Sequence, residues 1–204
     1  MFRIPILVLL AVVPATLAAI DAPMLRPAQD KTPNLFPLIK GSTWEFEVTV
    51  NGMTMNLTQE CVDVTKKDDG THGTLTTNVN GQKIDEEISV NSKGIYRHSI
   101  STMQLDKPIH TVKYPVAPQK WTESIKLAGM DIDVSMEMKA AETVNVPAGN
   151  YKNVTPVIIN MSIQGQEINA TNYYAEGVGI IKQEMNVAGT KVVSELKKYT
   201  PGSK

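Results

Sequence analysis

The sequence predicts an all-β protein: two tandem antiparallel β-meanders fused into one strongly curved sheet, barrel or half-barrel of about ten strands. Three observations support this fold class. Apolar and polar residues alternate with a period of two, glycine dipeptides separate the alternating segments, and the chain aligns with itself. No segment has the three-and-four spacing of apolar residues that an amphipathic helix requires.

The alternation is clearest in "MDIDVSMEM", residues 130–138. Its methionine, isoleucine and valine side chains share one face, and its aspartate, serine and glutamate side chains share the other. A strand with one buried and one solvated face has this pattern. Met136 and Met138, like Met53 and Met55, are spaced to share one strand face. We predict that all four are core residues, since methionine commonly fills apolar interiors, and we expect no copper site from their thioethers.

Glycine dipeptides mark the predicted strand reversals. The two Asn-Gly pairs are strong hairpin signals, because both central residues of a type I′ turn have positive φ. Three further pairs have the same context. The full set is Asn51-Gly52, Asn80-Gly81, Ala128-Gly129, Gln164-Gly165 and Ala188-Gly189.

Two halves of the chain align with one another. "FPLIKGSTWEFEVTVNGMTMNLTQE" matches "YPVAPQKWTESIKLAGMDIDVSMEM", and in each the tryptophan, Trp44 or Trp121, precedes a glycine by eight residues. Matched offsets of this kind predict a tandem duplication. We expect a first meander over residues 34–101, a connector over 102–113, and a second meander with a final strand over 114–200.

The first residues have the order of a secretory signal peptide: Arg3, an apolar run from Ile4 to Val13, then small residues. The run is too short to span a bilayer, which takes about 20 residues. We therefore predict a signal peptide over residues 1–19 and a proline-rich leader over 20–33. No cysteine follows the run, so we expect an exported protein, periplasmic or secreted, without a lipid anchor.

Charge and cysteine content exclude several classes of function. The 20 lysines and arginines nearly balance the 21 aspartates and glutamates, which gives no reason to expect nucleic acid as a partner. No second long apolar segment predicts a transmembrane span. The single cysteine, Cys61, has no partner for an internal disulfide and is expected to be buried on the apolar face.

The residues that could carry chemistry do not form a recognisable motif. "EGVG", residues 176–179, has two glycines before a strand-like segment, whereas a dinucleotide fingerprint needs three before a helix. His72, His98 and His110 lack the close spacing of a zinc motif, and we expect them to be exposed near turns. No nucleophile elbow occurs. We therefore predict no catalytic, metal-binding or cofactor-binding residue and no cofactor, and we lean against an enzyme.

Four aromatic residues are weak candidates for ligand contacts. Tyr173 and Tyr174 are adjacent, so on a strand they point to opposite faces. Trp44 and Trp121 occupy matching positions of the two halves. Apolar ligand pockets are commonly lined by aromatic side chains.

The chain resembles a loosely defined group of bacterial exported β-sheet proteins of unknown function. Three features carry the resemblance: "FPLIKGSTWEF" with its aromatic-proline step, the turn "VPAGNY", and the strand pair "YYAEGVGIIKQE". The resemblance spans Phe36 to about Tyr199 and implies a curved antiparallel sheet, related in shape to the LolA-like half-barrels that carry lipoproteins across the periplasm. It implies no catalytic residues.

Together these observations favour an exported, non-catalytic binding or carrier module for a lipophilic ligand or an envelope protein. A curved sheet leaves a concave apolar face on which such a ligand could bind. Two alternatives stay open at this point. One is a structural or interaction protein of the cell envelope, and the other is a hydrolase whose site is assembled from separate strands.

Overall fold

A computed structural model describes residues 33–79, 81–100, 103–127, 129–163 and 165–203. The predicted signal peptide, residues 1–19, lies outside these ranges, as does almost all of the leader 20–33. The described residues form one antiparallel sheet of thirteen strands and contain no helix long and apolar enough to cross a membrane. The all-β prediction is confirmed, but the sheet has more strands than the expected ten.

The strands follow one another along the chain as a meander. The first six are β1 (Thr43–Val50), β2 (Met53–Lys67), β3 (Gly70–Val79), β4 (Gln82–Asn91), β5 (Gly94–Ile100) and β6 (Met103–Lys113). The other seven are β7 (Gln119–Leu127), β8 (Met130–Met138), β9 (Glu142–Val146), β10 (Gly149–Ile163), β11 (Gln166–Ala175), β12 (Gly179–Val187) and β13 (Thr190–Thr200). Residues 103–113 of the predicted connector form strand β6, and the division of the chain into two repeats joined by a connector stays a prediction.

The sheet order curls the meander into an almost closed barrel. Neighbours run β6-β5-β4-β3-β2-β1-β13-β12-β11-β10-β8-β7, and β9 pairs with β10 alone beside this path. The first strand pairs with the last: Thr43 lies opposite Thr200 and Val50 opposite Val192. A sheet of this size accumulates enough twist to curl, and curling protects its edges.

The two ends of this path, β6 and β7, lie beside each other and are joined by side chains. Trp121 donates its indole N–H to the carbonyl of His110 at 2.8 Å. The Lys126 amide donates to the Asp106 carboxylate at 2.7 Å. Residues 114–118 also connect β6 to β7 along the chain. Among the described residues no backbone ladder joins these two strands, so side chains hold the two ends of the sheet together.

Glycine permits the tight turns of one barrel end. Asn51 and Gly52 have φ values of 50° and 81°, and Ala188 and Gly189 have 50° and 83°. Both pairs thus have the positive φ at both positions that type I′ hairpins need. The last residues of β1, β3, β5, β7, β10 and β12 all lie at this same end, because the strands alternate in direction. We call it the hairpin end.

The core fills mainly the opposite end, which we call the base. Segment 33–42 packs into the base, where Leu35 and Phe36 are buried. An added Cβ on Gly73 would lie 2.6 Å from the Leu38 side chain, so that glycine makes room for the segment. Cys61 is fully buried, as predicted. Tight turns join the strands in both halves of the chain. The tandem duplication of these halves stays a prediction.

The four paired methionines divide between core and surface. Met136 and Met138 on β8 are buried, as predicted, with 2% and 1% of their surface exposed. The prediction is wrong for Met53 and Met55, which are 69% and 40% exposed. Both face the same side of β2 as the core residue Leu57, but they lie at the hairpin end, beyond the packed layer.

Candidate functional site: the barrel interior and an outer histidine cluster

The base of the barrel is closed by aromatic packing. Trp44 is 1% exposed and stacks on Tyr199, with ring centroids 5.4 Å apart, and also contacts Phe36. Its indole N–H donates to the carbonyl of Val178 at 2.7 Å. Val178 belongs to the "EGVG" turn, which joins β11 to β12 and is held further by the Gly177 amide donating to Asn34. The glycines of this turn therefore serve packing at the base.

Two cavities occupy the interior above this core. One of about 260 Å³ is enclosed by β5, β6, β8, β10, β11 and β12, and its lining is mostly apolar. The other, of about 360 Å³, lies against β1 to β5, β12 and β13. Arg97, Gln183 and Met185 line both cavities and so form the partition between them. Ligand sites of small molecules are typically concave and lined by apolar side chains with few polar groups.

Polarity changes along the smaller cavity. Ile163, Ile168 and Val187 line it nearest the hairpin end. Asn172 and Gln183 line it nearer the base, hydrogen-bonded to each other at 2.7 Å. A molecule that fits this cavity is therefore expected to be apolar at the hairpin end and polar at the end nearer the base.

An ion pair stands at the partition. Arg97 Nη1 lies 3.2 Å from Glu86 Oε1, and both side chains are mostly buried, with 24% and 15% of their surface exposed. Removing two charges from water costs free energy, so an ion pair inside an apolar barrel contributes little to stability. Its position on the wall of both cavities makes it a polar contact for whatever binds there.

None of the four aromatic candidates lines either of these cavities. Trp44 belongs to the base, and Trp121 packs at the junction of β6 and β7 with the Lys113 ammonium 5.4 Å from its ring. Tyr174 is 2% exposed, and burial raises the pKa of its phenol. Tyr173 lies on the outer side and donates to Glu184 at 3.5 Å. Their role as ligand contacts stays a prediction.

A second polar group lies on the outer wall, across β3, β4 and β5. His72, Glu87 and His98 each offer one ligand atom, and these atoms lie within 4.8 Å of one another. His72 Nδ1 is 2.9 Å from Glu87 Oε1, and the two imidazole centroids are 5.1 Å apart. We call these three residues the histidine cluster. Contrary to the sequence prediction, His72 is only 6% exposed and His98 is partly buried.

Further side chains orient the histidine cluster. Asp69 accepts from His72 Nε2 at 2.9 Å, and this hydrogen bond lowers the pKa of the Asp69 carboxyl. The hydrogen bond from His72 likewise lowers the pKa of Glu87. Ser89 lies 2.8 Å from His98 Nε2, and burial lowers the pKa of that imidazole, which favours its neutral form.

Sequence spacing could not reveal this cluster, because its members are 15 and 11 residues apart on three strands. The register brings them together: Thr74 pairs with Glu87 between β3 and β4, and Ile88 pairs with Arg97 between β4 and β5. The Asn-Gly signal at 80–81 does fix the first of these registers. The register of β4 with β5 can be predicted only if the strand reversal at residues 92–93 is placed correctly.

Comparison with known proteins gives a fold and no activity. No protein-family model matches the chain, and no curated protein matches it. A predicted lipoprotein of Parabacteroides distasonis ATCC 8503 superposes with a TM-score of 0.57 at 14% identity, over 82% of this chain and 99% of that one. A predicted exported protein of Bacteroides fragilis NCTC 9343, with a YmcC-like fold, gives 0.56 at 15% identity and the same coverage.

At this level of identity the similarity shows the fold alone. The described residues thus have a curved antiparallel barrel of the kind seen in the Bacteroides fragilis protein, whose fold is YmcC-like. The relation to LolA-like half-barrels, which the sequence resemblance implies, stays a prediction.

Proposed function

We propose that the protein is an exported, non-catalytic module that binds or carries a small lipophilic ligand inside the barrel. The single observation that carries this proposal is the apolar interior cavity of about 260 Å³, which the two buried hydrophobic clusters leave unfilled. A barrel whose interior side chains met throughout would leave no such space. Export is supported by the predicted signal peptide and by the predicted exported protein of similar fold.

The lining defines the chemistry of the ligand. Isoleucine, valine and methionine side chains cover most of the cavity wall, which suits a hydrocarbon chain or ring. Asn172, Gln183 and Arg97 offer donors at the end of the cavity nearer the base. We therefore expect a ligand that is apolar over most of its length and has one polar or anionic group, such as a medium-chain fatty acid.

A specific observation also favours the alternative, an envelope protein that docks on the hairpin end. Met53, Met55 and Met103 are large apolar side chains exposed at that end, on the β1-β2 and β5-β6 hairpins. Methionine adapts to varied partner surfaces. The two functions are compatible, since a carrier must receive its ligand through a surface near the cavity. For the hydrolase alternative, the histidine cluster lies on the outer wall and therefore provides no acid–base pair in the cavities.

The test uses dodecanoate and dodecanol as matched probes, titrated into delipidated protein by calorimetry. We expect one dodecanoate per chain and weaker binding of dodecanol, because Arg97 interacts with the carboxylate. A variant with both Arg97→Gln and Glu86→Gln removes the ion pair without leaving an unpaired buried charge. This double variant should bind dodecanoate and dodecanol with equal affinity. Absence of binding for both probes in the wild-type protein, together with native mass spectrometry of the exported protein showing no bound molecule, would contradict the proposal.

A further inference from the structure

The histidine cluster on the outer wall has a donor set that the interior cavities do not use. Two imidazoles and a carboxylate are ligands that zinc and related divalent ions accept. His72, Glu87 and His98 come from three adjacent strands, which hold them more rigidly than a loop would. We propose that this cluster binds one divalent transition-metal ion of the zinc class, with water in the remaining coordination position.

The distances fit small side-chain movements. The ligand atoms lie within 4.8 Å of one another, and the closest pair, His72 Nδ1 and Glu87 Oε1, is 2.9 Å apart. In a tetrahedral site with metal–ligand bonds of about 2.0–2.2 Å, ligand atoms are roughly 3.3–3.6 Å apart. Metal binding would require rotation of the His98 and Glu87 side chains to bring the three ligand atoms to these distances.

The contacts behind the cluster match those of metal sites. Metal-bound histidines commonly donate their second ring N–H to a carboxylate, which fixes the tautomer. Asp69 accepts from His72 Nε2 at 2.9 Å in this way, so Nδ1, which faces Glu87, is the nitrogen that would bind the metal in place of its proton. The second histidine is oriented by Ser89, 2.8 Å from His98 Nε2.

The ammonium group of Lys67 lies beside the histidine cluster. Lys67 Nζ lies 3.4 Å from His72 Nδ1 and 3.6 Å from the Glu87 carboxylate. The ammonium thus lies close to two of the three proposed ligand groups and offsets the charge of the Glu87 carboxylate. Its side chain is 49% exposed, so it can swing into solvent when the ion enters. A cavity of about 210 Å³ on the outer wall, lined by Lys67, His72 and Glu87 among others, provides the entry path.

The experiment is calorimetric titration of tag-free protein with zinc in metal-free buffer at pH 7.5. We expect one zinc per chain. His98→Gln and Glu87→Gln should weaken binding at least about 100-fold, and Asp69→Asn about 10- to 100-fold, the range found for carboxylates that support a ligand. Lys67→Met should strengthen binding about 3- to 10-fold, since it removes the competing charge and keeps the aliphatic stem.

His110→Gln is the matched control, because it removes the third histidine of the chain at a site where Nε2 donates to the Lys93 carbonyl. Its zinc affinity should equal that of the wild-type protein. Glu87→Gln is isosteric and partly exposed, so it tests the site even if a His72 variant does not fold. Lack of zinc binding by the wild-type protein would overturn the proposal, and so would equal affinities in the wild-type, His98→Gln and Glu87→Gln proteins.

Discussion

Trp121 on β7 donates its indole N–H to the carbonyl of His110 on β6 at 2.8 Å, where the two ends of the sheet meet. All other neighbouring strands of the path are joined by backbone hydrogen bonds among the described residues, whereas this junction depends on side chains. The junction is therefore the point at which we expect the barrel to open first.

Substitution Trp121→Phe keeps an aromatic ring and removes the donor. Because a typical hydrogen bond contributes about 0.5–1.5 kcal/mol, we expect the free energy of unfolding to fall by about 1 kcal/mol. Hydrogen exchange should rise selectively in β6 and β7. Trp44→Phe is the control: it removes a donor at 2.7 Å to Val178, so its effect on exchange should fall at the base. Unchanged exchange at β6 and β7 in Trp121→Phe would contradict this role.

Gly94 begins β5 where another chain segment passes very close. Its φ is 146°, and an added Cβ would lie 2.4 Å from His110 Nε2 and closer still to the Val112 carbonyl. Gly94→Ala should therefore reduce the free energy of unfolding by more than about 2 kcal/mol, through positive φ and steric overlap together. Gly165→Ala, with φ of 77° and open space around it, should cost only about 1–2 kcal/mol. Chemical denaturation compares the two, and equal costs would refute the close approach.

Cys61 should be unreactive in the native protein. It is fully buried, and burial together with Asp63 and Glu60 raises the pKa of its thiol to about 11. Since the thiolate is the reactive form, labelling with a disulfide reagent at pH 8 should proceed only after unfolding in guanidinium. Rapid labelling of the folded protein would mean that β2 opens locally.

His110 should make stability depend on pH. Burial lowers the pKa of His110 below its ordinary value of about 6.5, so the folded state disfavours the protonated ring. Its stabilising contribution is full above the unfolded pKa and is lost as pH falls through the lower folded pKa. The loss of stability on His110→Gln should be larger at pH 8 than at pH 5, measured by thermal unfolding. A difference that does not change with pH would contradict this sign.

The sequence predicts local features of this fold, such as strands and turns, better than it predicts contacts between distant strands. Period-two alternation identifies β8 and its buried Met136 and Met138, and Asn-Gly identifies the turn at residues 51–52. Alternation assigns a face but not a depth along the strand. Met53 and Met55 thus have the correct face but lie beyond the packed layer.

The candidate sites depend on pairing between distant strands. Arg97 and Glu86 meet inside the barrel, and His72 and His98 meet outside it, only because β3, β4 and β5 pair in one register. A shift of one residue would move every side chain to the opposite face. No local pattern in the sequence specifies the cavity either, since its volume depends on how tightly the sheet curls.

Dodecanoate binding to two variants of β11 tests the central claim, that the barrel interior holds the ligand. Ala170→Phe fills the cavity of about 260 Å³, because Ala170 lines it, whereas Asn169→Phe adds the same ring to the exposed face one residue away. We expect calorimetry to show binding by the wild-type and Asn169→Phe proteins and at least a tenfold loss of affinity in Ala170→Phe. Equal affinity in the wild-type and Ala170→Phe proteins, with both folded, would place the ligand elsewhere and contradict the account.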